Sequence, residues 1–350
     1  MATIIYGVSG EGSGHSSRAK VVAAHLTKQG HRVKILSYDK GLANLKDEFD
    51  VKEVVGLSII SRDNTVSMVR TVKTNLSKFS AALACVRSLK ALFKEIQPDL
   101  VITDFEPTSA YLAKKYNLPL ISIDNQHRMR YVDCDTPPGL SQDALITRAI
   151  IKAMVPRPSV ALVTSFHSGT PKNKHTFIFP PMIRPSIRAL STCTDGAVLV
   201  YVTSHFDTLL TTLSDIDQPF IVYGSDKVGQ QGNLSFKAHS QEGFLSDLSR
   251  AKAVVATAGF TLISESLYLG KPYLAYPMKG QFEQQLNAYM LEKKGYGARG
   301  LTPNKPTIEQ FLANLDEYRQ ALEHYPRDTD DGILAKLDAL IGEKDLLVNA

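Results

Sequence analysis

Short apolar runs alternate with longer amphipathic stretches from one end of the chain to the other. Residues 3–8, 32–37, 100–103 and 120–124 read as strands, and two more lie near 160–163 and 176–179. Further on, the run 253–256 is apolar throughout, which marks a strand buried on both faces of a parallel sheet. Helical patterning fills the intervals: about 16–29, a long Ser- and Lys-containing stretch over about 65–96, then 107–116 and about 142–154. Residues 128–140 look irregular, with Pro137-Pro138-Gly139 as a turn.

Pro180, Pro181 and Pro185 punctuate a linker that reaches about Gly196, after which the pattern starts again. Strands are expected at 197–202, 220–223, 234–237, 253–256 and 273–276, and helices near 308–324 and 331–342. Strand and helix in alternation mean an α/β fold of parallel sheets covered on both faces. Two such series predict two doubly wound, Rossmann-like domains, residues 1–180 and 197–330, joined through 181–196 and followed by a last helical segment, 331–350. A chain of 350 residues suits that division. No short-period repeat or low-complexity tract is visible.

Composition narrows the classes. Apolar content of 43% and charged content of 21% are ordinary for a soluble globular protein. The three cysteines, Cys85, Cys134 and Cys193, are odd in number and widely spaced, which points to a reducing, cytoplasmic setting without a disulfide framework. No Cys/His ligand spacing suggests a structural zinc. The first residues run straight into a strand with no basic stretch, unlike a signal peptide, and no apolar run is long enough to span a bilayer. Residues 1–175 hold 24 Lys and Arg against 15 Asp and Glu, whereas the remainder holds 16 against 20. A basic first half suits a phosphorylated acceptor or an anionic membrane surface, or is simply a set of Lys-rich solvated helix faces. Nucleic acid is disfavoured, because Trp is absent and no run mixes aromatics with Arg as a stacking platform would.

Residues 251–297 carry the most chemistry. The buried run 253–256 breaks at Thr257-Ala258-Gly259 and opens a helix bearing Glu265. A helix start offers backbone N–H groups and the positive end of a dipole, which suits phosphate. Gly259, Phe260 and Thr261 are positioned to present those amides, and Glu265 lies far enough along to reach a ribose hydroxyl. The next strand stops at Pro277, and its loop delivers Glu283, Gln284, Gln285 and Asn287, an acid-and-amide cluster suited to sugar hydroxyls.

That block resembles the donor half of GT-B glycosyltransferases, most of all the group that holds the peptidoglycan enzyme MurG and the UDP-glycosyltransferases. Gln281-Phe282-Glu283-Gln284-Gln285-Leu286-Asn287-Ala288 is similar to their acid-Gln-x-x-Asn-Ala element. The resemblance is specific over these residues and collinear over most of the chain. It implies two Rossmann-like domains facing across a cleft, with the last helix returning to the first domain. It implies a nucleotide sugar, most simply a UDP-sugar, as co-substrate rather than a cofactor. It also places Ser204, with His205 beside it, at the diphosphate, although the glycines usual in that loop are missing, and Phe244 against the base. A core phenylalanine on an amphipathic helix reads equally well for Phe244.

The first strand leads into Gly7-Val8-Ser9-Gly10-Glu11-Gly12-Ser13-Gly14-His15. A Walker loop would need Lys after its last glycine, where His15 stands. A dinucleotide fingerprint lacks its third glycine, though Asp39 after strand two keeps that reading alive. The loop resembles the glycine-rich turn ending in His of MurG, which places Gly12, Ser13 and Gly14 on the acceptor side. His15 is the candidate base that removes the acceptor's hydroxyl proton. Asp104 is its candidate partner, placed like the Asp that pairs with the base His in plant UDP-glycosyltransferases; Glu106 is a rival. The competing reading has His15 and Asp104 as helix caps. Asn125 and His127 fall where MurG lines its acceptor side, and His127 reads either as a second acid/base or as a polar loop residue.

Retaining GT-B enzymes commonly carry a second Glu eight residues before the ribose Glu; here that position is Thr257, which argues for inversion. No Asp-x-Asp stands in a metal-binding context, and a helix dipole makes a metal optional for the leaving diphosphate. Residues 142–158 mix Ile, Leu and Met with Arg148, Lys152 and Arg157, either a basic helix for a membrane surface and a lipid-linked acceptor or a helix packed on the sheet. Two further functions stay open: a sugar-nucleotide epimerase or hydrolase on the same fold, and a non-catalytic nucleotide-sugar binding protein.

Overall fold

All eleven apolar runs named above are strands in the computed structural model, which describes residues 1–56, 61–62, 65–66, 79–202, 207–327 and 330–343. They fall into two compact units, residues 1–60, 67–182 and 328–350 in one, residues 61–66 and 183–327 in the other.

In the first unit seven parallel strands lie in the order Thr176–Phe179, Val160–Thr164, Leu120–Asp124, Leu100–Asp104, Thr3–Val8, Arg32–Ser37, Val51–Glu53. Successive side chains alternate between the faces of this sheet. Ile4, Tyr6 and Val8 join Ile102, Ile121 and Leu162 against Ala19, Val22 and Leu26 of the helix Gly14–Lys28. Ile333, Leu337, Leu340 and Ile341 of the helix Asp331–Gly342 close the same core, and Asp338 accepts from His25 Nε2 at 2.9 Å. Ile5, Leu36 and Val101 point the other way, onto Leu89 and Phe93 of the helix Phe79–Ile96 and Ala110 and Ala113 of the helix Pro107–Lys115.

In the second unit the order is Gly229–Gln231, Leu234–Phe236, Phe220–Tyr223, Val198–Tyr201, Val254–Thr257, Tyr273–Tyr276, Gly297–Arg299. Only the edge pair Gly229–Gln231 with Leu234–Phe236 is antiparallel, and neighbours of Val200 and Val255 build a core with Phe220, Ile308 and Phe311. In each sheet the chain starts in the middle and winds outward in both directions. The order reverses between Thr3–Val8 and Leu100–Asp104 in one sheet, and between Val198–Tyr201 and Val254–Thr257 in the other. Crevices at the carboxyl ends of strands flanking such a reversal are where open α/β sheets bind ligands. Each unit is thus a doubly wound α/β fold.

Some expectations change. Thr65–Val66 is a short strand paired antiparallel with Ser61–Arg62, as two β-branched residues favour, and Phe79–Ile96 is helix; residues 67–78 lie outside the described part. Arg128–Tyr131 forms one helical turn, and Val132–Asp133 pairs with Thr170–Pro171. The helix expected near 308–324 is two, Lys305–Ala313 and Leu315–Glu323, divided at Asn314. Residues 183–196, read as a linker, belong to the second unit. Buried Lys271 holds them there by donating to the carbonyls of Cys193 at 2.5 Å and Ser249 at 2.8 Å.

Candidate active site

The glycine loop of the first unit is shaped by close packing. A Cβ on Gly10 would meet the Tyr38 carbonyl at 2.1 Å, and Gly12 has φ +78°, a left-handed conformation that suits glycine. The loop thereby delivers His15 into the first turn of the helix Gly14–Lys28, at the carboxyl end of the first strand. Asp104 ends the neighbouring strand, Val8 opposite it in register. The two side chains meet across the reversal point: Asp104 Oδ1 accepts from His15 Nδ1 at 2.6 Å. That contact fixes the neutral tautomer with its lone pair on Nε2. His15 is only 9% exposed and Asp104 is fully buried.

A third residue completes this group. Arg18, one turn after His15 on the same helix face, donates to both Asp104 oxygens, Nε to Oδ2 and Nη2 to Oδ1, each at 2.7 Å. Its Nη2 also lies 3.4 Å from His15 Nδ1. Burial disfavours the Arg18 charge, but the Asp104 carboxylate more than restores it. The spacing His15-x-x-Arg18 was the signal in the sequence, and it was missed. Glu106 is committed elsewhere, capping the helix Pro107–Lys115 by accepting from the amides of Thr108 at 2.8 Å and Ser109 at 2.7 Å. The capping role weighed for Asp104 thus falls to Glu106.

His127 is paired too. Its Nδ1 lies 2.7 Å from Asp124 Oδ2, its backbone amide donates to Oδ1 at 2.8 Å, and its ring stacks on Tyr131 at 5.3 Å. Burial raises the Asp124 carboxyl, yet the His127 charge and hydrogen bonds outweigh it and hold Asp124 below its usual range. His127 is wholly buried and Asn125 nearly so. Gly12 and Ser13 are exposed and Gly14 half-buried.

In the second unit Gly259 caps the helix Phe260–Tyr268 with no side chain bonded across its start. The first amides of any helix have no partner within it. Asn287 is buried and donates to the Ala258 carbonyl at 3.0 Å, and Tyr273 donates to the Thr257 carbonyl at 2.6 Å. Asn287 therefore shapes the turn. Glu265 is 3% exposed and receives a two-pronged bond from Arg184, Nε at 2.6 Å and Nη2 at 2.8 Å. Burial pushes Glu265 up, and Arg184 opposes this only in part. Arg184 comes from the proline-rich segment, eighty-one residues away, and nothing local in the sequence announced it.

The following loop sits beside that helix start, because Thr257 and Tyr276 are paired in register. Gln284 accepts from the Met278 amide at 3.1 Å and donates to Gln281 at 2.7 Å, while Gln285 donates to the Met278 carbonyl at 3.3 Å. Glu283, Gln284 and Gln285 are half-buried at its rim. Phe244 packs edge-on against Tyr201 at 5.7 Å and Tyr223 at 5.3 Å, at the ends of adjacent strands. Ser204 and His205 lie outside the described residues. Among the described residues no group of three His, Cys, Asp or Glu is placed to hold a metal ion. A cavity of about 410 Å³ lined by Met1, His31 and Asp338 lies at the amino ends of the strands, opposite His15.

A family model described as glycosyl transferase family 1 matches residues 2–316. An uncharacterized glycosyltransferase of Methanosarcina acetivorans is 24% identical over 96% of this chain and 98% of its own. A UDP-N-acetylglucosamine--N-acetylmuramyl-(pentapeptide) pyrophosphoryl-undecaprenol N-acetylglucosamine transferase of Bacillus cereus is 30% identical over 32% of this chain and 34% of its own. Among solved structures, the calicheamicin glycosyltransferase CalG4 has a TM-score of 0.70 at 13% identity, covering 98% of both chains. The spinosyn rhamnosyltransferase SpnG, complexed with thymidine diphosphate, has a TM-score of 0.65 at 12% identity, covering 97% of this chain and 100% of that one.

Proposed function

The chain belongs to glycosyl transferase family 1 and is a nucleotide-sugar glycosyltransferase, and from that premise we propose that it moves a sugar from a UDP-sugar to a hydroxyl acceptor with inversion, using His15 as base. The observation that carries this reading is the His15–Asp104 contact of 2.6 Å at the reversal point of the first sheet. With Nδ1 turned to Asp104, Nε2 is the atom that takes the acceptor's proton. The acceptor oxygen attacks the anomeric carbon, the bond from that carbon to the phosphate oxygen breaks, and the diphosphate leaves. Proton removal by a positioned base such as His15 contributes about 10²–10⁴-fold, and Asp104 stabilises the imidazolium that forms. Arg18 holds the carboxylate in place and shares its charge.

On the donor side, amides from Gly259 to Thr261 receive the diphosphate, which supports a reaction without a metal. Glu265 accepts from the ribose while still bound to Arg184. A carboxylate offers about four acceptor positions, and Arg184 takes two. Glu283, Gln284 and Gln285 read the sugar, Phe244 lies against the base, and Ser204 bonds the diphosphate. No cofactor takes part. A lipid-linked acceptor of the cell envelope is supported by the partial likeness to the Bacillus cereus enzyme. Three unpaired cysteines support a cytoplasmic site of action.

Nucleotide-sugar consumption is measured with UDP-, dTDP- and GDP-sugars and acceptor extracts, for the wild type, His15→Ala and Glu265→Ala. The expected result is UDP-sugar turnover lost in His15→Ala with nucleotide binding kept, and weakened nucleotide binding in Glu265→Ala. Full turnover in both variants refutes these roles. Release of UDP at the same rate with and without acceptor favours a hydrolase instead.

A further inference from the structure

Of the large apolar side chains that are exposed among the described residues, four gather in one place. Leu145 is 64%, Ile146 48% and Ile150 44% exposed, all on the helix Ser141–Met154, and Tyr111 is 51% exposed beside its end. At about 100° per residue, Leu145, Ile146, Ala149, Ile150 and Ala153 share one arc roughly 140° wide. Ala144, Ile151 and Val155 face the opposite way and are buried, so the helix is anchored by one side and bare on the other. Tyr111 Oη donates to the Ala153 carbonyl at 2.8 Å, which seats its ring at the end of the bare arc.

The rim is charged in one sense. Lys152 borders the arc, Arg157 follows the helix, and Lys114 and Lys115 end the Tyr111 helix; all four are exposed. Asp143 at the first turn is the one acid on either helix. Arg148 faces inward, donating to the Met129 carbonyl at 3.0 Å. Among the described residues no helix is long and apolar enough to cross a membrane. An apolar arc flanked by cations is the arrangement that lies on a bilayer, side chains in the acyl boundary and cations among anionic headgroups.

We propose that the face formed by Leu145, Ile146, Ile150 and Tyr111 docks on the surface of an anionic phospholipid bilayer. Transient docking would bring a membrane-bound acceptor to the first unit. Binding itself does not depend on the transfer reaction, so failure of one leaves the other intact. The apolar residues supply depth, and the four cations supply selectivity for negative headgroups.

The test is sedimentation of the full chain with phosphatidylcholine vesicles, pure or with about one-third phosphatidylglycerol, at low and high salt. The wild type is expected to bind the anionic vesicles only, and less in high salt. Leu145→Ser/Ile146→Ser/Ile150→Ser is expected to lose about tenfold or more in affinity. Lys114→Gln/Lys115→Gln/Lys152→Gln is expected to lose about fivefold per charge removed. Unchanged circular dichroism and an unchanged thermal shift with UDP show that both variants remain folded. Equal binding to neutral and anionic vesicles, no binding to either, or wild-type binding by the Ser variant overturns the proposal. So does a wild-type dimer in sedimentation equilibrium that the Ser variant converts to monomer, which makes the face an interface between copies.

Discussion

Replacing Asp104 with Ala leaves Arg18 buried without its counter-ion, because Arg18 is 6% exposed and Asp104 takes two of its bonds at 2.7 Å. Breaking one side of such a pair costs about 3–5 kcal/mol, since the remaining charge stays desolvated. Replacing both partners by apolar residues of similar volume is close to neutral. Asp104→Ala should therefore be strongly destabilised, and Arg18→Met/Asp104→Leu should recover most of the loss. A cost of about 4 kcal/mol divided by a urea slope of about 2 kcal/mol/M moves the midpoint down by roughly 2 M. Urea unfolding followed by circular dichroism reads this, taking the transition that moves as that of the first unit. The recovered double variant should still lack transferase turnover, because His15 has lost its acceptor. A loss below about 1 kcal/mol in Asp104→Ala, or no recovery in the double variant, refutes the ion-pair reasoning. Full turnover in a stable double variant refutes the dyad.

Asn287→Leu strands the buried Ala258 carbonyl at a cost of about 1–3 kcal/mol, roughly 2–4 °C of melting temperature per kcal/mol for a unit of this size. Thermal scans with and without UDP should show both that loss and a smaller UDP-induced shift; an undiminished shift means the turn does not shape the nucleotide site. Lys271 is pushed down to about 8 by burial, so between there and its ordinary value the unfolded chain binds more protons and stability rises with pH. The melting temperature of the wild type minus that of Lys271→Met should rise from pH 8 to 10; a difference that falls contradicts the sign.

The parallel strands were legible because burial on both faces leaves a run such as residues 253–256 apolar throughout. The pairing of His15 with Asp104 was legible for a topological reason, since both stand at carboxyl ends of strands flanking the reversal. Arg18 escaped notice because a buried arginine looks in sequence like any exposed one on a basic helix. Arg184 was beyond reach, because it meets Glu265 only through the path of the proline-rich segment. The Asn287 bond to the Ala258 carbonyl was out of reach for a similar reason: an amide suits a sugar hydroxyl and a turn carbonyl equally, and only the fold reveals the second. The division at Asn314 and the strand at Thr65–Val66 are local choices that amphipathic patterning does not resolve.

A crystal of the protein with UDP addresses the donor site directly. The account predicts diphosphate oxygens about 3 Å from the amide nitrogens of Phe260 and Thr261, with ribose hydroxyls on a Glu265 carboxylate still clasped by Arg184. UDP bound elsewhere, with the turn at Gly259 empty, would contradict it.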